Sequence, residues 1–368
     1  MANDKADTRR AGDGIFQKTA IALLLAGVLS VSALGLTDLL SGARDSAPYA
    51  AGSTAAAAAE PVAPTATAVS RVQRLFHARS GGGRGAAPIA ELARLAKPER
   101  VLTVSSTGKL SDLFDRIGYR LDGVRADGNV PRLLIGALPK DLSLLRQSGE
   151  RKLVFIKSTL PIILHVNEQV LKQRDRIVSL REKVDAGGTL SADERAWLNW
   201  IADRYGLEGR DFDALLERVD VIPPSLAIAQ AAEESGWGTS RFAREGNALF
   251  GQRVYREDLD GLVPEERGED EVFRVRAFNH LIDGVRAYVH NLNSHFAYEG
   301  FRARRAELRA AEQAIDGKEL IEMLDRYSER GEAYVETIRT IMRVNRLGVF
   351  DRARLHEGTD QAEVVPDA

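Results

Sequence analysis

The sequence has 368 residues, 44% of them hydrophobic and 28% charged, with a formal net charge of -2. That is chain enough for one sizeable core with a tail or for two small domains, and so balanced a charge gives no basis for a nucleic-acid partner. There is no cysteine, which excludes disulfides, thiolate zinc sites and a cysteine nucleophile; with six histidines, no metal or other cofactor is expected.

Residues 19–37 carry no charge and include the apolar run Ile21 to Leu29. As a helix this stretch spans roughly 28 Å, close to the thickness of a bilayer core. Lys5, Arg9, Arg10 and Lys18 precede it, and only Arg44 follows closely. The bias predicts a cytoplasmic tail over 1–18, an inner-membrane anchor over 19–37 and the rest of the chain in the periplasm. The alternative is a signal peptide cleaved near Ala33 or Gly35, which would release the protein into the periplasm.

Residues 38–97 hold Ala55 to Ala59, Pro61-Val62-Ala63-Pro64 and Ser80-Gly81-Gly82-Gly83, the composition of a disordered linker. A phosphate loop is rejected here because no Gly-Lys-Ser/Thr follows. Ordered structure is expected from Pro98, with a helical lead-in over 98–220. Within it, Val101 to Val104 and Arg132 to Ile135 read as short strands or buried extended chain. From Ser158, apolar residues recur at three- and four-residue spacing through Leu180, which predicts a helix. Ser191 with Glu194 forms a capping box for the next helix, and Phe212, Leu215, Leu216 and Val219 mark another.

The stretch most informative about chemistry runs from Pro223 to Gly238. Its prolines open a helix, Leu226 to Ala232 are small and apolar, and Gly236 and Gly238 end it. Glu233 and Glu234 therefore sit at the C-terminal end of a buried helix, where low dielectric and the helix carbonyls both raise a carboxyl pKa. They face about 100° apart, so at most one points into a given cleft. A protonated carboxyl is what a general acid needs to protonate a glycosidic oxygen; both can equally be exposed last-turn residues.

Ala229-Gln230-Ala231-Ala232-Glu233-Glu234-Ser235-Gly236-Trp237-Gly238-Thr239-Ser240, with Asn247-Ala248-Leu249-Phe250-Gly251, resembles the bacterial Bax-like glucosaminidases. The resemblance continues through Gly261 to Pro264, Ala287 to His295 and Tyr327 to Gly331, covering roughly residues 160–345. It implies a predominantly helical α+β fold: a lysozyme-like glucosaminidase domain over 221–347 with a small β-hairpin lobe, followed by a flexible tail over 348–368. The implied activity is hydrolysis of the β-1,4 bond after N-acetylglucosamine in peptidoglycan glycan strands, by a protein expected to be monomeric. The implied catalytic glutamate, preceding Ser-Gly-Trp-Gly, is Glu234, and Tyr327 matches a tyrosine beside the cleaved bond. Trp237, Asn247 and Phe250 are candidate sugar contacts, although core packing is an equal alternative for the two aromatic residues. For a second carboxylate, Glu271 is the first choice among the acids of 255–275. His280, His290 and His295 lack metal-motif spacing, and Arg302 to Arg309 reads as a solvated helix face. A lytic transglycosylase and a non-catalytic wall-binding scaffold are the competing functions.

Overall fold

The computed structural model describes residues 100–255, 258–265 and 272–356. The expected anchor at 19–37, the linker and Glu271 lie outside these residues. Among the described residues, no helix is long and apolar enough to cross a membrane.

The frame is a helix of 38 residues, here α3 (Ser148–Asp185), preceded by α1 (Thr107–Arg116), α2 (Leu121–Asp127) and the short strand β1 (Asn129–Val130). It begins ten residues earlier than the spacing from Ser158 predicts. Pro161 lies in its interior and removes one ladder hydrogen bond. The helix continues because its middle, from Val154 through Leu164, is almost wholly buried by neighbouring elements. Next come α4 (Ala192–Arg204), opened by the predicted Ser191–Glu194 capping box, and α5 (Phe212–Arg218).

Against α3 lies α6 (Pro224–Ser235), buried from Pro224 through Ala232. Then follow α7 (Arg241–Gly246), strands β2 (Arg253–Val254), β3 (Gly261–Leu262) and β4 (Arg274–Arg276), and α8 (Leu281–Ser294). The last helices are α9 (Glu299–Ala310), α10 (Gly317–Leu320) and α11 (Glu332–Val344), before strand β5 (Arg354–Leu355). The architecture is predominantly helical α+β with small sheets. Strands β2, β4 and β3 make an antiparallel lobe, while β1 pairs in parallel with β5. The two ambiguous segments near the start meet each other: Leu102 N–H donates to Leu134 O at 2.7 Å and Gly136 N–H to Leu102 O at 2.8 Å. One continuous core runs from Leu110 to Leu355, so the lead-in and the expected catalytic domain share an interior instead of meeting at residue 220.

Two expectations need correction. Residues 348–356, the described part of the expected tail, are not a tail. Leu347 and Phe350 are buried, and Asp351 accepts from Ser225 N–H, Ser225 Oγ (2.7 Å each) and Gly317 N–H (3.1 Å). One orphan donor at the start of α6, Ser225 N–H, and one at the start of α10, Gly317 N–H, are thereby satisfied from far along the chain. Nor is 302–309 a solvated face. Arg302 and Arg305 are 1% and 0% exposed. Arg305 donates to Val221 O (2.9 Å), Asn293 Oδ1 (2.7 Å) and Glu217 O (2.9 Å), and Arg302 to Leu292 O (3.1 Å) and His295 O (2.8 Å). These guanidinium forks take up the carbonyls at the C-terminal ends of α5 and α8, where a cation is favoured. Arg309 grips the buried carboxylate of Asp220 at 2.9 and 2.8 Å. Burial would raise the Asp220 pKa, but the Arg309 hydrogen bond and the charges of Arg305 and Arg174 hold it below the usual value.

Candidate active site

The end of α6 is built by an unusual turn. Gly236, Trp237 and Gly238 all have positive φ, at 57°, 58° and 79°. For tryptophan that conformation is strained and persists only where the surroundings impose it. Ser235 imposes part of it: its hydroxyl donates to Ala231 O at 2.5 Å and accepts from Gly238 N–H at 2.9 Å. The packing at Gly238 is close as well, since a Cβ there would collide with Leu138 Cδ1.

The turn leaves the two glutamates in different surroundings. Glu233 is ion-paired with Arg330 (2.7 Å), which also donates to Thr337 Oγ1 at 2.6 Å. Glu234 faces tyrosines. Burial pushes its carboxyl up to about 7, the Tyr334 hydrogen bond opposes this, the Glu233 charge adds to it, and Arg330 opposes it. Gly251, at φ +59°, brings its backbone so near that a Cβ there would sit 3.6 Å from Glu234 Oε2.

Around the carboxyl, Tyr327 stacks on Tyr334 with centroids 5.5 Å apart and planes 13° off parallel. The rings continue outward to Tyr298 (6.0 Å from Tyr327), then His295 (5.7 Å) and Phe296 (4.4 Å from His295). Phe296 is 71% exposed, and burial and Arg302 lower the His295 pKa. Burial and the Glu234 charge both raise the Tyr327 pKa, as they do that of Tyr334, so these phenols stay protonated and can donate. Tyr327 thus feels the Glu234 charge and packs against Tyr334.

The other sequence-predicted contacts are partly committed elsewhere. Phe250 is buried and spends one ring face on Tyr288, 3.9 Å away and 7° from parallel. Trp237 is half-buried, edge-on to Phe155 at 5.7 Å, with Lys152 Nζ 5.1 Å from its ring centre. Asn247 ends α7 at φ 50°, and its Nδ2 donates to Phe278 O (3.0 Å) and Asn279 O (3.1 Å). Of the acids on the β-lobe, Glu265 pairs with Arg241 at 3.2 Å. Sequence reasoning passed over Gln230, Tyr288, Tyr334 and Arg330. Gln230 had a signal: it lies four residues before Glu234 and so on the same helix face.

A family model described as mannosyl-glycoprotein endo-beta-N-acetylglucosaminidase, the glucosaminidase domain, matches residues 209–347. Protein bax of Escherichia coli (strain K12) is 35% identical over 200 residues, which is 53% of this chain and 69% of the relative. No solved structure matches significantly. The matched span contains α6, the β-lobe and every tyrosine around Glu234, and the chain belongs to the Bax-like glucosaminidase-domain family.

Proposed function

We propose that this chain is a glycoside hydrolase that cleaves the β-1,4 bond after N-acetylglucosamine in peptidoglycan, with Glu234 as general acid. The observation that carries the reading is the Glu234 carboxyl, held up to about 7 by burial among tyrosines while its neighbour Glu233 is tied off by Arg330. Near neutral pH such a group still holds its proton and can deliver it to the departing sugar oxygen as the C1–O bond breaks. Tyr327, a protonated phenol that feels the Glu234 charge and stacks on Tyr334, is suited to hydrogen-bond the reacting sugar. Water completes the cleavage, either directly or after the substrate's own acetamido oxygen has acted as nucleophile. The uncharged run 19–37 and the basic residues before it support anchoring in the inner membrane with the catalytic domain in the periplasm.

Digestion of purified peptidoglycan by the full chain, with mass spectrometry of the released fragments, tests this. Reducing-end N-acetylglucosamine from the wild type, absent with Glu234→Gln, is the expected result. Anhydro-muramic ends would make it a lytic transglycosylase. Binding of sacculi without release of any fragment would make it a scaffold.

A further inference from the structure

Three buried side chains behind Glu234 form a hydrogen-bonded chain with a direction. Tyr288 on α8 donates its hydroxyl to Gln230 Oε1 at 2.6 Å. Gln230 then donates Nε2 to the Tyr334 hydroxyl oxygen at 2.9 Å. Tyr288, Gln230 and Tyr334 are 0%, 0% and 1% exposed, so water does not compete for these groups. Once Tyr288 occupies the amide oxygen, Gln230 can only donate to Tyr334. The Tyr334 oxygen is then an acceptor on that side, and its own proton is free for Glu234, with which it interacts.

Resting on the glycosidase reading, we propose that Gln230, oriented by Tyr288, is a positioning residue that fixes Tyr334 as a one-way hydrogen-bond donor to the Glu234 carboxyl. Before the reaction this donor holds one carboxyl oxygen, so the proton sits on the other, facing the substrate. As the proton passes to the glycosidic oxygen, Glu234 becomes a carboxylate and the better acceptor. The Tyr334 bond strengthens at that moment, which is when a contact accelerates the step. The other groups facing Glu234 do not do this work: Glu233 and Arg330 act through charge, while Tyr298 and Tyr327 are coupled to it as neutral phenols. A Gln-x-x-x-Glu pair on one helix thus links a core amide to the acid.

The test compares wild type, Tyr334→Phe, Gln230→Met and the double variant. Tyr334→Phe keeps the ring stack on Tyr327 and removes the hydroxyl, both the donor toward Glu234 and the acceptor of Gln230 Nε2. Each single variant is expected to lose kcat by roughly 10- to 100-fold, as for a hydrogen bond to a charged group, with KM little changed. The basic limb of the pH profile should move to higher pH, because the carboxylate has lost its donor. The double variant should lose no more than the worse single one, since both break the same chain. A carbon-13 NMR titration of the Glu234 carboxyl should show the same upward displacement in Tyr334→Phe without any turnover. If wild type releases no sugar yet the titration shifts, the glycosidase reading fails and the directed chain stands. An unmoved Glu234 titration in folded Tyr334→Phe, or additive losses with an unchanged pH limb, overturns the proposal.

Discussion

Arg330 donates to Glu233 at 2.7 Å, and Glu233 is the residue next to the proposed acid. The pair sets the charge beside Glu234: Glu233 raises the acid's pKa and Arg330 lowers it. A general acid loses activity as pH rises through its pKa, so the basic limb of activity should lie near pH 7, where burial has pushed the Glu234 carboxyl. Glu233→Gln should move that limb to lower pH with turnover retained, and Arg330→Gln should move it higher. Glu234→Gln should abolish turnover at every pH. Rate–pH profiles of the three variants check this, and full activity in Glu234→Gln would sink the assignment.

Stability carries the same signature with the opposite benefit. The folded-state pKa of Glu234 is about 7 against an ordinary 4.5, so between those values the folded state binds more protons than the unfolded state. Stability from this group is therefore full at low pH and declines as pH rises toward 7. Glu234→Gln removes that decline and should be more stable than wild type by on the order of 1–3 kcal/mol at pH 8, with little gain near pH 4. Denaturant melts at the two pH values provide the comparison; equal differences at both would contradict the raised pKa.

Arg305 is the largest structural liability outside the site. Its two terminal nitrogens serve acceptors on Val221, Asn293 and Glu217, and burial lowers its pKa to about 10, so it remains charged at neutral pH. A lysine brings one point charge and cannot match that planar fork. Arg305→Lys should cost on the order of 3 kcal/mol, read as a fall in unfolding midpoint. Arg304, one residue away, pairs at the surface with Glu307 and Glu319; Arg304→Lys should leave the unfolding midpoint almost unchanged.

Phe296 ends the row of rings that begins at Tyr334, and its side chain is open to solvent. On the glycosidase reading, that exposed ring is a flat apolar face on which the apolar side of a pyranose can pack. Phe296→Ala should weaken binding to long glycan strands by roughly 3- to 10-fold while leaving turnover of the shortest substrates unchanged. Sedimentation with sacculi and kinetics on a short chito-oligosaccharide separate the two effects.

Local signals were legible in the sequence wherever neighbouring residues decide the outcome. The Ser191–Glu194 box, the apolar α6 and its glycine stop are all properties of a few adjacent side chains. Glu234 was picked out by the same stretch, with the family resemblance choosing it over Glu233. Hidden were the groups whose roles depend on partners far along the chain. Nothing near Arg302 and Arg305 says that the ends of two helices will present carbonyls to them. Hidden for the same reason were the stack of Phe250 on Tyr288 and the bonds from the Asn247 amide nitrogen to the 278–279 backbone. The segment from Gly348 read as a tail because its few apolar residues, among them Phe350, lie too close to polar neighbours to show a period.

That segment decides when the site can exist. The α6 helix carries Glu234 at one end, and its other end is closed by Asp351, 126 residues later. A nascent chain that has reached α11 holds every tyrosine around the acid yet still lacks the cap that seats the acid's helix. Premature termination a few residues short of 351 would therefore strike the reactive centre from behind, although nothing near the sugar has been removed.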